Sequence, residues 1–133
     1  MYSISLRDHL KVAFSLEGMQ YGAGQNVHGA TYTLDVTFYS KELDSEGVVI
    51  SFNLATQIIG KVISLYNYKY LDDLAEFKER NATMEYLCKV ILEKLDRQLT
   101  LIDIPNKTLS RLSVAIADAT LAKVTYTKEV DGS

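Results

Sequence analysis

His28-Gly29-Ala30-Thr31-Tyr32-Thr33-Leu34-Asp35-Val36-Thr37-Phe38-Tyr39 is the stretch that decides the fold. Tyr32, Leu34, Val36 and Phe38 fall on one face, and Thr31, Thr33, Asp35, Thr37 and Tyr39 on the other. Sustained period two predicts a half-buried antiparallel strand over 30–40. His28 stands where that strand meets a loop, a position from which an imidazole can face a pocket.

Working outward, residues 3–16 alternate loosely into Val12-Ala13-Phe14 and predict a first strand. Residues 17–27 hold three glycines and no periodicity, so they read as a connector too long for a tight hairpin. After the polar turn Lys41–Gly47, Val48-Val49-Ile50-Ser51-Phe52 predicts a short strand that closes a hairpin over 30–52. Asn53 is the expected cap of a helix over 54–66, whose stripe is Leu54, Ile58, Val62 and Leu65, widened by Ile59, Ile63 and Tyr66. Gly60 inside it reads as tolerated. Residues 67–82 are irregular. Thr83 caps a second helix with Glu85 in its first turn and the stripe Met84, Leu87, Cys88, Ile91 and Leu95. Cys88 on that stripe reads as a small buried hydrophobe and not a nucleophile. A connector with Pro105 leads to two alternating runs, Leu112–Ile116 and Ala122–Tyr126.

Strands and helices in runs, not in strict alternation, argue for an α+β layer with an antiparallel sheet. The expectation is one domain over 1–133: a four-stranded antiparallel sheet with two helices on one face. Its open edges invite assembly into an oligomeric barrel.

The 133 residues are 47% hydrophobic and carry 14 basic against 17 acidic side chains, net charge −3. That balance gives no reason to expect a nucleic-acid partner. No apolar run is long enough for a membrane span, and no secretory signal is visible at the N-terminus. One cysteine excludes an intramolecular disulfide, and two histidines, His9 and His28, exclude a three-histidine zinc site within the chain. The expectation is a soluble cytoplasmic protein.

Six segments in order then carry a resemblance: Phe14-Ser15; His28-Gly29 with its strand; Gly47–Ile50 with Phe52 and Leu54; Lys69-Tyr70-Leu71 with Asp73; Asn81 with Thr83, Glu85 and Leu87; and Val114, Ile116 and Tyr126. From about Val12 to Tyr126 the chain resembles the 6-pyruvoyl-tetrahydropterin synthase and 6-carboxy-tetrahydropterin synthase family, which has the tunnelling fold. The resemblance implies trimeric barrels stacked as hexamers, with a reduced pterin bound at subunit boundaries. It also implies three zinc histidines, a loop cysteine as base supported by an aspartate–histidine pair, and a late glutamate that anchors the ring.

Carried over residue by residue, most of this machinery is missing. The zinc positions fall on Gly18, His28 and Ala30, and the cysteine on Gly24. The aspartate–histidine pair falls on Asn67 and Tyr68, and the glutamate on Asp118. Glycine and alanine supply no ligand, and one imidazole does not hold catalytic zinc alone. No metal and no cofactor are therefore expected.

What is left is a divergent, metal-free relative that binds a pterin or purine-like ring, with acid–base chemistry as its remaining catalytic means. His28 and Tyr68 are the candidate catalytic residues, with Tyr21 or Glu17 as assistants, and Asp118 and His28 the candidate ligand-binding residues. Tyr66, Tyr68 and Tyr70 either line that pocket or pack at a subunit contact. The alternatives are a non-catalytic structural or regulatory protein of the same fold and, against the histidine and cysteine inventory, a conventional zinc-dependent pterin synthase. A homo-oligomer, trimer or hexamer, is expected on each of these readings.

Overall fold

In the computed structural model, which describes residues 1–18, 20, 22, 25–102, 108–119 and 121–130, the alternating stretch forms strand β2 (His28–Ser40). Strand β1 (Tyr2–Phe14) pairs with it antiparallel along its whole length, from Tyr2 opposite Ser40 to Phe14 opposite His28. On the other side β2 pairs antiparallel with β4 (Leu109–Asp118), which pairs in turn with β5 (Ala122–Glu129).

Tyr32, Leu34, Val36 and Phe38 are all buried, as the alternation predicts. They pack with the even-numbered side chains of β1 and β4 beneath helices α1 (Phe52–Ile63) and α2 (Met84–Leu101). Burying a side chain such as Phe38 contributes about 2–3 kcal/mol, so this face supplies much of the drive to fold. Thr83 caps α2 as expected, its hydroxyl accepting the Tyr86 N–H at 3.1 Å, and Glu85 sits in the first turn. Leu87, Cys88, Ile91 and Leu95 are buried beneath that helix.

Several expectations are corrected. Among the described residues the sheet has five strands, not four, and it is mixed: β3 (Lys69–Tyr70) adds parallel to β1 beside Val12 and Ala13. Val48–Ser51 form no strand and there is no 30–52 hairpin, because both edges of β2 are already taken by β1 and β4. Ile50 instead drops its side chain into the core. The cap of α1 is Ser51, whose hydroxyl accepts the Leu54 N–H at 3.4 Å; Asn53 already lies within the helix. The helix ends at Ile63, so Leu65 rotates out of the stripe and is 48% exposed. A Cβ added at Gly60 would meet nothing, so no close approach within the chain demands that glycine.

Candidate functional site

Residues two apart on a strand share a face, so His28, Ala30 and Tyr32 all lie on the helix-side face of β2, at its N-terminal end. The His28 ring stands edge-on to Phe14, with ring centroids 4.4 Å apart. Its Nδ1–H donates to the Asn26 carbonyl at 2.9 Å, because a carbonyl can only accept. The neutral ring therefore keeps its lone pair on Nε2. His28 is half-buried, between core and solvent.

Asp118 reaches the same end of the sheet from β4. Thr33 faces Ala117 and Leu34 faces Ile116, so the register carries Asp118 onto the helix-side face next to Tyr32. The side chains are close enough to interact electrostatically: burial first, then the Asp118 carboxylate, pushes the Tyr32 hydroxyl up to about 12. Asp118 is also a turn residue, its carbonyl accepting the Leu121 N–H at 3.1 Å beside Ala119 at φ 50°. By the same alternation Ala117 lies on the opposite face and does not flank the carboxylate.

Tyr68 is placed differently. It holds φ 61°, donates its N–H to the Lys11 carbonyl at 2.6 Å, and is 77% exposed. Asn67 completes the splice to β1 by accepting the Lys11 N–H at 2.8 Å. Among the described residues no hydrogen bond or ring contact joins Tyr68 to His28 or Asp118. The three neighbouring tyrosines therefore separate: Tyr66 is fully buried, Tyr70 bonds to Asp72, and only Tyr68 faces outward.

The loop that leaves Phe14 is fastened by Asn81 and by Asp72, which the sequence did not single out. Asp72 accepts the Ser15 N–H at 3.2 Å, the Ser15 hydroxyl, and the Tyr70 hydroxyl at 2.9 Å. Burial pushes the Asp72 carboxyl up, but these hydrogen bonds outweigh it and hold the group below its ordinary value. Asn81 clips the next residue but one, accepting the Glu17 N–H at 2.8 Å and donating to the Glu17 carbonyl at 2.9 Å. A cavity of about 190 Å³ opens beside this stem, lined by Ser15, Glu17, Asp72, Lys78, Arg80 and Asn81 among others. Tyr21 and Gly24 lie outside the described residues.

The donor set does not fit zinc. Gly18 has no side chain, Ala30 offers a methyl, and His28 stands alone. Among the described residues no three His, Cys, Asp or Glu side chains gather as a metal-holding group. Cys88 is no substitute for a catalytic thiol: it is fully buried, and burial pushes its thiol up to about 12.

A sequence profile of the family described as 6-pyruvoyl tetrahydropterin synthase matches residues 3–129. The chain is 27% identical over 104 residues to the 6-carboxy-5,6,7,8-tetrahydropterin synthase of Bacillus subtilis (strain 168), covering 74% of this chain and 69% of that protein. The solved structure of 6-pyruvoyl tetrahydropterin synthase from Caenorhabditis elegans superposes with a TM-score of 0.80 at 19% identity, covering 96% of this chain and 95% of that one. The Plasmodium vivax enzyme of that name gives a TM-score of 0.77 at 13% identity over 98% and 100% of the two chains. At these identities the structural likeness establishes the fold alone.

Proposed function

Because the chain belongs to the 6-pyruvoyl tetrahydropterin synthase family, we propose that it is a metal-free member that binds a pterin or purine-like ring where β2 and β4 end. The observation that carries this reading is the pairing of Asp118 with Tyr32 on the face that also bears His28. A carboxylate there accepts two hydrogen bonds from an amino group and an adjacent ring N–H. Phe14 and Tyr32 are core residues that back this end of the sheet, and the free Nε2 of the half-buried His28 is the group able to take a proton from a bound ring.

The same reading includes a single cytoplasmic domain that works as a homo-oligomer. Among the described residues, 2–10 of β1 have no strand on their outer edge, and neither has β5. With four mutually antiparallel strands between those edges, β5 of one copy runs antiparallel to β1 of the next. Copies can therefore join edge to edge into a closed barrel, removing both open edges. Tyr68, exposed at the β1 edge, would then face a neighbouring copy, where it could join a site from across the boundary.

The test is calorimetric titration with neopterin, biopterin and guanine. Saturable binding of at least one is expected, weakened about tenfold or more in Asp118→Ala by loss of a charge-assisted hydrogen-bond pair. Asp118→Asn, which keeps the shape, should also bind more weakly. Absence of binding by any of the three rings refutes the proposal and leaves the structural, non-catalytic role.

A further inference from the structure

His28 begins β2, and its nearest neighbours in the chain do little to steady it. Val27 before it is 62% exposed, Gly29 after it has no side chain, and Ala30, next on its face, offers only a methyl. Among the described residues the ring makes one hydrogen bond and one aromatic contact. The Asn26 carbonyl takes the Nδ1–H at 2.9 Å, and Phe14 stands edge-on with ring centroids 4.4 Å apart. The carbonyl fixes which nitrogen carries the proton. Phe14 walls the ring on its other side, so that it stays turned to that carbonyl. A ring free to rotate loses the bond, and with it the preference for one tautomer.

Phe14 is itself the last residue of β1, where strand pairing runs out. On one side it faces His28 across the β1–β2 ladder. On the other side, β3 supplies backbone partners only beside Val12 and Ala13. Continuing that parallel register past Tyr70 brings Asp72 beside Ser15, and there a side chain takes over from the ladder. The carboxylate accepts the Ser15 N–H at 3.2 Å through both oxygens, and the Ser15 hydroxyl as well. The Tyr70 hydroxyl donates to the same carboxylate at 2.9 Å and so aims it, while the positive charge of Lys78 favours its ionised form. Hydrogen bonds to an ionised acceptor are stronger than the neutral bonds of a sheet. Asp72 therefore holds the end of β1 more firmly than a further residue of β3 would, and Phe14 stands on that end.

We propose that Asp72 is a positioning residue for His28: through Ser15 it seats Phe14, and Phe14 keeps the His28 ring turned to the Asn26 carbonyl with Nε2 presented outward. Among the described residues no hydrogen bond joins Asp72 to His28, so the effect travels through the Phe14 ring. A group that moves a proton has to be held close to its working geometry, and small displacements cost rate and affinity steeply. The functional meaning of this arrangement rests on the reading that His28 takes a proton from a bound ring. The orientation of His28 is measured without any ligand. An Asp72 that served stability alone would leave the imidazole as it is.

Nitrogen-15 NMR of the intact protein in mildly alkaline buffer reports which imidazole nitrogen carries the proton. His9, on the opposite face of the sheet by alternation, is the internal control. Wild type should show His28 in the Nδ1–H form. In Asp72→Ala that form should give way to a mixture of the two tautomers with His9 unchanged, and guanine should bind about threefold or more weakly. Asp72→Asn, whose amide oxygen still accepts one Ser15 donor, should fall between, and it carries the test if Asp72→Ala does not fold. Phe14→Leu, with Asp72 intact, should give the same mixture. Thr83→Ala, which weakens the fold through the cap of α2, should leave His28 alone. The proposal is overturned if wild type lacks the Nδ1–H form, or if the folded Asp72 variants keep it. It is equally overturned if Phe14→Leu leaves His28 unaltered or if Thr83→Ala disturbs it as much. Failure of guanine to bind wild type counts against the ring-binding reading, and the tautomers still decide this one.

Discussion

Replacing Asp72 with alanine removes the acceptor that fastens the end of β1 to the segment after β3. Three donors lose their partner: the Ser15 N–H, the Ser15 hydroxyl and the Tyr70 hydroxyl. A hydrogen bond to a charged group contributes about 1.5–3 kcal/mol when shielded, but this cluster is only partly buried and the freed hydroxyls can turn to water. The expected net loss is therefore about 2–3 kcal/mol, read as the shift in urea midpoint at constant slope. In thermal unfolding it corresponds to a drop of roughly 10 °C. The pH dependence gives a second, independent reading. The folded-state pKa of Asp72 is depressed, so its stabilisation is fully present above the ordinary carboxylate value of about 3.9 and disappears as pH falls through the folded value. The gap between wild type and Asp72→Ala should be widest near neutrality and narrow below about pH 4. A variant within about 0.5 kcal/mol of wild type, or a gap that stays constant down to about pH 2, would refute the reasoning.

Two other outcomes follow from the core and its caps. Cys88, fully buried and with its thiol pushed up to about 12, should resist an aromatic disulfide reagent in the native protein and react completely in denaturant; rapid native labelling would show that the α2–sheet interface opens. Thr83→Ala should cost about 1 kcal/mol in urea unfolding, while Thr83→Ser recovers most of it, since the hydroxyl caps the Tyr86 N–H.

The sequence disclosed what repeats and concealed what happens once. The alternation of β2 and the stripe of α2 stood out because burial contrasts strongly along them, and the resemblance supplied the arrangement of the remaining elements. The strand β3 was invisible: two residues carry no period, and their pairing depends on Tyr68 adopting a positive φ to present its N–H to Lys11. Val48–Ile50 looked like a strand because local propensity cannot register that both sides of β2, its expected hairpin partner, are already taken by β1 and β4. Ser15 and Asp72 stand 57 residues apart, a pairing with no local signature. Tyr32 read only as core, although its even number placed it in line with His28 and Ala30. Tyr66, Tyr68 and Tyr70 looked alike as letters, yet the turn after α1 sends them to three different surroundings.

Gly18 bears on whether metal ligands could be built into this chain. It stands at φ 127°, backbone that L side chains rarely adopt, and a Cβ there would come within 2.6 Å of the Gln20 side chain. The glutamine can swing aside, but the backbone strain of a histidine would remain, a cost of about 1–3 kcal/mol before any ligand is gained. Gly18→His together with Ala30→His would thus rewrite the two missing letters without rebuilding the site they belonged to. At Gly18 the chain holds a bend that only glycine adopts comfortably. A zinc site there would therefore need a reshaped loop and not two side-chain changes alone.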